Sequence, residues 1–321
     1  MTGADSGWRP WILHAGVIGA LFVLNFVLPD YHHGVLARVM TLAIFAMGYN
    51  LLFGYVGLLS LGHAMFFSAG LYGAGLVVYH LGWSVPAAFA TGIAAGAMLS
   101  LVIGLLALRT SGVAFMIVTM MFAQVLYLTT FYFGSATRGD EGLVLQQAQR
   151  IVSIGPMTFD LTDPTTRYMT ALTLFAIVLF VTLRIVRSPF GRTLVAIREN
   201  EERTRMLGYD TFANKLLAVV LSGTICATAG AAYALLFGYI GATFASVQYS
   251  ILPLLWVLLG GAATVLGPLV GTVFMYYVVD ITSGFTSAWL LVVGAALIVL
   301  VLFFPKGILG TIRHKWVPWL P

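Results

Sequence analysis

Long apolar runs recur along this chain, and short polar clusters separate them. About 20 apolar residues suffice for a helix to cross the hydrocarbon core of a bilayer. Runs of that kind fall near residues 11–29, 34–53, 60–80, 84–107, 112–133, 168–187, 213–238, 247–265, 267–282 and 286–304. The pattern predicts an all-α polytopic membrane protein with about ten transmembrane or re-entrant helices. Residues 1–321 read as a single transmembrane domain. Trp11 to Leu28 is long for a signal peptide and no small-residue cleavage site follows it, so it is expected to stay as the first span.

Four runs are interrupted. Gly54, Gly57, Gly62 and Gly70 break up the second and third, and Pro253 and the pair Gly267-Pro268 break up the eighth and ninth. Broken spans can line a pathway as re-entrant segments. Glycine in a bundle more often permits close helix packing.

Two polar stretches stand apart from this pattern. Residues 134–167 form a connection of more than 30 residues, beyond the usual length. It is expected to be an external loop, either a docking surface or a solvated hairpin. Residues 184–215 hold seven basic residues between two apolar runs. Ser188-Pro189-Phe190-Gly191 stops the sixth span, because Pro and Gly break helices. A short amphipathic helix is then expected from Arg192 to Leu207. Leu194, Ile197, Thr204 and Leu207 would share one face, and the pairs Arg198/Glu202 and Glu201/Arg205 stand four apart. Gly208 would cap its end. Such a helix can lie on lipid headgroups or dock into a groove on a partner protein. Glu199, Glu201 and Glu202 suit anionic lipid poorly and favour docking.

Composition supports the membrane class. The chain is 60% hydrophobic and 8% charged, against roughly 25% charged in soluble domains. The net charge of +5 reads as membrane topology rather than nucleic-acid binding, since the basic residues sit at span ends. If residues 188–212 are cytoplasmic, Arg9, Arg109, Lys306, Arg313 and Lys315 also fall inside. Only Arg38, Arg138, Arg150 and Arg167 fall outside. Both termini are therefore expected in the cytoplasm. Cys226 is the single cysteine, which excludes an internal disulfide and a cysteine-based zinc cluster.

Polar residues within spans are expensive and attract functional hypotheses. Asn50, Ser60, His63, Thr119, Gln124 and Gln248 qualify. Asn50, Ser60, His63, Thr119 and Gln124 are the candidate pathway residues. The competing reading is hydrogen bonding across helix interfaces. Thr119 and Gln124 stand five apart and point about 140° from one another. His63 has no second His or carboxylate three or four residues away, so no metal site is expected. Asp280 is the one acidic residue deep in an apolar run, expected near the outer end of its span with an arginine partner if buried. No serine elbow, paired carboxylate or His cluster marks a catalytic centre.

The stretch SPFGRTLVAIRENEERTRMLGYD (188–210) resembles the coupling segment of the membrane subunits of bacterial branched-chain amino acid ABC importers. Glu202 and Gly208 match the spacing of the family's ATPase-engaging motif, whose alanines are replaced here by Arg203 and Thr204. YNLLFGYVGLLSLGHAMFFSAGLYGAG (49–75), GVAFMIVTMMFAQVLY (112–127), TRGDEGL (137–143), GGAATVLGPLVGT (260–272) and FFPKGILG (303–310) are similar too, in the same order. The set covers nearly the whole chain and resembles the longer of the two permease types in such importers. Arg138 and Ala263 stand where the family usually has glycine, and Met120 and Met121 replace other apolar residues.

The resemblance implies one permease of a five-part machine. Its partners would be a second homologous permease, two cytoplasmic ATPase subunits and an external solute-binding protein, in the bacterial inner membrane. Arg198, Glu199, Glu201, Glu202, Arg205 and Gly208 would engage an ATPase, while Arg138, Asp140 and Glu141 would face the binding protein. No cofactor would sit on this chain; ATP and Mg would be held by partner subunits. Consistently, Lys215, Lys306 and Lys315 are followed by Leu, Gly and Trp, so no phosphate-cradling Gly-Lys-Ser/Thr loop is present. The solute implied is Leu, Ile or Val, with urea, amides and aromatic acids as alternatives within the family. An ion-coupled secondary transporter is the other class, and it would need an intramembrane charge such as Asp280.

Overall fold

Eight helices are long and apolar enough to cross a membrane in the computed structural model, which describes residues 8–154, 157–286, 306–315 and isolated positions between 288 and 303. The first five are α1 (Arg9–Val27), α2 (Asp30–Asn50, continued by a π-helical turn Leu51–Val56), α3 (His63–Leu81), α4 (Val85–Ala107) and α5 (Gly112–Tyr132), and the other three, over 164–187, 211–237 and 267–285, follow among shorter helices. After α6, a single turn (Gly134–Thr137), come α7 (Pro164–Arg187), the short α8 (Pro189–Glu199) and α9 (Glu201–Met206), and α10 (Thr211–Phe237). The series closes with α11 (Val247–Gly260), α12 (Gly267–Phe285) and α13 (Ile308–Lys315).

The expected eighth span is corrected. Residues 247–265 form a helix of 14 residues, α11, followed by a turn. At 1.5 Å per residue that helix is about 21 Å long, short of a core about 30 Å thick. Ser246 begins it by accepting from Tyr249 N–H, and Gly261 ends it with φ +119°. The tenth run, 286–304, lies outside the continuously described residues.

Helix starts in the second half are set by local chemistry. Asp163, Ser188, Asn200, Asp210 and Ser246 each accept a backbone N–H three residues on, which satisfies donors that the first turn leaves unpaired. Proline follows directly at Pro164 and Pro189, where its missing N–H costs nothing.

The bundle is organised around α2, which is almost wholly buried. It packs on α10, α7 and α12, and α10 packs in turn on α3 and α4. Small residues set these crossings. A Cβ at Gly70 would collide with the Ala227 carbonyl, and one at Gly230 with the Phe67 carbonyl. Glycine thus serves close packing on the α3–α10 contact.

Both ends of the described chain lie at the α8 end of the bundle. Trp11 stacks on Phe180 at 5.9 Å and borders a cavity with Arg184, Arg187 and Ser188. Arg313 of α13 donates to the Ala263 carbonyl at 2.9 Å, in the turn before α12. At the opposite end, the loop expected over 134–167 is ordered by two ribbons. β1 (Leu143–Val144) pairs antiparallel with β4 (Tyr239–Ile240), and β2 (Ile151–Ile154) with β3 (Met157–Asp160).

Candidate functional site

The segment between α7 and α10 folds as a corner. The single helix expected over 192–207 is corrected to two, because Asn200 adopts an extended backbone and its side chain accepts from Arg203 N–H at 2.8 Å. Asparagine competes for backbone donors and so starts a new helix. Leu194, Ile197 and Thr204 are buried as expected, whereas Leu207 is 71% exposed. The break at Asn200 turns the end of α9 away from the bundle. Gly208 has φ +89° and donates to the Arg205 carbonyl, as its expected capping role requires.

The charges divide into two groups. Glu201 meets Arg205 at 3.3 Å and also Lys215 of α10 at 2.6 Å. Burial alone would raise the Glu201 pKa, but hydrogen bonding and charge from Lys215 outweigh it and hold the carboxyl below its ordinary value. The expected Arg198/Glu202 pair does not form. Arg198 instead turns into the bundle and donates to the Gly54 carbonyl. Glu199, Glu202 and Arg205 stay exposed, beside exposed Met206, Leu207 and Tyr209. Apolar and acidic groups together suit a protein groove better than a lipid surface.

Gly54 belongs to the π turn that ends α2, a kind of irregularity frequent at functional sites. Asn50, at the start of that turn, donates to Thr264 O at 2.9 Å and accepts from Ala263 N–H at 3.0 Å. A Cβ at Gly54 would lie 2.6 Å from Ala263 N, so only glycine fits. Arg313 holds the same turn from the far side. Two sets of hydrogen bonds therefore meet on the π turn and its start: Arg198 of α8 holds Gly54, and Asn50, one turn before it, reaches through the 263–264 backbone to Arg313. A cavity of about 640 Å³ opens beside them, lined by Arg198, Lys306, Arg313 and His314 among others.

Of the pathway candidates, Asn50, Ser60, His63 and Thr119 are buried, and Gln124 is exposed on another face of α5. The Ser60 carbonyl accepts from Tyr49 Oη at 3.1 Å, and its hydroxyl accepts from Gly62 N–H at 3.2 Å. Gly62 lies against the Thr119 carbonyl. His63 Nε2 meets Ser222 Oγ at 2.9 Å, and Ser222 donates to the Gly48 carbonyl at 2.6 Å. The Ser222 proton is thereby used, which assigns a proton to His63 Nε2. Thr119 donates to Met116 O in its own helix. These contacts are interhelical and local bonds within one chain. Asp280 is only half-buried, so the arginine partner expected on burial is not required, and its carboxylate accepts from Tyr31 Oη at 2.6 Å.

Arg138, Asp140 and Glu141 are exposed at the opposite end, on a turn that the β1–β4 ribbon follows. The Arg138 guanidinium lies 5.9 Å above the Tyr79 ring. Among the described residues, no group of three His, Cys, Asp or Glu could hold a metal ion. Sequence reasoning missed Lys215, Ala263 and Arg313 as parts of the corner and its anchor. Their partners are 14, 213 and 50 positions away, beyond any local pattern.

A family profile described as branched-chain amino acid transport system / permease component matches residues 31–302. The chain is 27% identical over 303 residues to the high-affinity branched-chain amino acid transport system permease protein LivM of Salmonella typhimurium, covering 88% of this chain and 70% of that protein. It is also 27% identical over 298 residues to the LivM protein of Escherichia coli, covering 86% and 69%. A third relative, the probable branched-chain amino acid transport permease protein LivM of Methanocaldococcus jannaschii, is 34% identical over 99 residues, 30% of this chain and 28% of that one. No solved structure matches significantly. With its family match covering most of the chain and its eight helices long and apolar enough to span a membrane, this chain belongs to the permease family of branched-chain amino acid transport systems.

Proposed function

We propose that this chain is the longer permease of a heteromeric, ATP-driven importer in the bacterial inner membrane. Its solutes are small and amino-acid-like, Leu, Ile and Val foremost. A second homologous permease completes the pathway, two cytoplasmic ATPases drive alternating access, and an external binding protein delivers solute to the face carrying Arg138, Asp140 and Glu141. The single observation that supports this most is the meeting of two sets of hydrogen bonds at the π turn, one from the α8–α9 corner and one from Asn50 toward Arg313.

In this reading Glu199, Glu202 and the exposed apolar end of α9 seat in an ATPase groove. Movement of the groove displaces α8, and Arg198 carries the displacement to the π turn of α2. Asn50 passes it to the turn between α11 and α12. Asn50, Ser60, His63 and Thr119 hold the surrounding helices as that shift occurs. ATP and Mg stay on the partner subunits. An ion-coupled carrier gains no support from Asp280, whose carboxylate is engaged by an exposed tyrosine.

The test is coupled transport in liposomes with the complete importer. Glu202→Arg and Gly208→Pro are expected to keep ATP hydrolysis and lose ATP-driven leucine uptake. Normal coupled uptake in both variants would overturn the proposal.

A further inference from the structure

Three of the four arginines expected outside converge on one dipeptide. Arg38 of α2 and Arg167 of α7 hold their guanidinium carbons 5.1 and 5.8 Å from the Phe237 ring centre. Arg150, at the end of the turn Gln147–Arg150, donates to the Leu236 carbonyl at 3.2 Å. Its Cζ is 3.0 Å from where a Cβ on Gly238 would stand. Three elements far apart in sequence thus bring three positive charges to the Phe237–Gly238 end of α10.

Their compensation among the described residues is indirect: the charges of Asp160 and Asp163 act on Arg150 and Arg167 without direct contact, and Arg38 donates to the neutral Tyr276 Oη at 3.4 Å. None of the three forms an ion pair, and the Nε of each is buried with no protein acceptor. Three acidic groups of this end make their hydrogen bonds elsewhere. Asp160 accepts from Thr162 and Gln147, Asp163 caps α7 through Thr166, and Asp280 accepts from Tyr31. Burial, and then the charge of Arg167, lower the Arg150 pKa against the opposing charge of Asp160, so Arg150 is held against repulsion from its neighbour. Buried charged donors in native proteins normally find an acceptor. A guanidinium fork matches a carboxylate with two parallel hydrogen bonds. All three residues are only partly buried, which leaves a route to the cluster from outside.

The geometry points to a carboxylate-binding site formed by Arg38, Arg150 and Arg167, which receives the carboxylate of a solute arriving at the outer face. The inference rests on the importer reading for its orientation, and it narrows that reading. Amino acids and aromatic acids carry the required group. Urea and simple amides are neutral and do not.

The test uses the two permeases and two ATPases in detergent, with the solute-free binding protein added only in a separate arm, and the arginine reagent phenylglyoxal read by peptide mass spectrometry. Isovalerate is the probe, and isovaleramide is its neutral isostere. Isovalerate at about ten times its Kd is expected to slow modification of Arg150 and Arg167 roughly tenfold, with no protection from isovaleramide. Arg150→Gln should abolish protection at Arg167, and Arg150→Lys should restore part of it. Equal labelling with both probes would overturn the inference. So would protection that comes only from the solute-free binding protein, because a protein carboxylate would then fill the cluster. Leucine uptake is measured in parallel in liposomes. Uptake without protection refutes this site alone, whereas protection without ATP-driven uptake leaves the site standing and refutes the importer reading.

Discussion

Asn50 closes both of its amide hydrogen bonds on the turn at Ala263, accepting from Ala263 N–H at 3.0 Å and donating to the next carbonyl, Thr264 O, at 2.9 Å. Asn50 is buried, so removing its side chain strands one donor and one acceptor of the 263–264 backbone. Asn50→Ala should destabilise the protein by about 2–4 kcal/mol. Thermal unfolding in detergent measures it. A loss no larger than that of an exposed substitution such as Gln124→Ala would show that water takes over both bonds.

Arg138 and Ala263 are, among the described residues, the two non-glycine positions with positive φ, at 59° and 57°. A Cβ in the left-handed region costs about 1–2 kcal/mol, and glycine returns part of that gain through its greater unfolded freedom. Ala263→Gly should therefore stabilise by about 0.5–1 kcal/mol. Arg138→Gly should gain less, because it gives up the contact with Tyr79. Melting temperatures of the two variants, compared side by side, test both the sign and the order.

Glu201 ties the corner to Lys215, and despite its partial burial the hydrogen bond and charge of that lysine hold its carboxyl below the ordinary glutamate range. A depressed carboxylate contributes stability that is present above its unfolded pKa and fades as pH falls through the folded one. The contribution is about 0.5–1 kcal/mol, because the side chain is a third exposed and solvent screens the pair. The protection of the 200–212 amides, their exchange rate taken relative to the intrinsic rate at each pH, should fall below about pH 4.5 in the native protein. Glu201→Gln should show the lower protection already at neutral pH, with no such acid dependence of protection.

Cys226 is fully buried, and its thiol points to the Phe45 carbonyl at 3.6 Å. It is the single cysteine of the chain. A membrane-permeant maleimide should leave it unmodified in the folded protein and label it fully after denaturation. Labelling in the native state would mean that the contact between α2 and α10 opens.

Much of this architecture was legible because its causes are local. Ser188-Pro189 ends one helix and starts the next, and Gly208 caps α9, each through groups within four residues. Eight of the expected spans followed from apolar run length alone, while run length overstated the one at 247–265. Asn200 carried a readable cap signal too, but the apolar spacing of Leu194, Ile197 and Leu207 suggested one continuous helix and masked it. Leu207 ended on the exposed side as a result. The anchor behind the corner was not legible, since Asn50 and Ala263 are 213 positions apart and meet only when α2, α11 and α12 have packed. The resemblance did single out Arg138 and Ala263 as departures from glycine. The structure supplies the physical reason in both cases, a backbone that favours a residue without a Cβ.

Arg198 grips a main-chain oxygen, and that oxygen is the same whatever residue stands at position 54. Asn50 and Ala263 bar a side chain there, so position 54 offers selection nothing to vary in answer to a change at 198. In genetic terms the contact is one-sided: a lesion at Arg198 has no reciprocal suppressor in its partner. Revertants short of restoring a basic residue at 198 must map to other links, the 263–264 turn or Arg313. A suppressor screen begun from Arg198→Ala would therefore trace the mechanical linkage position by position.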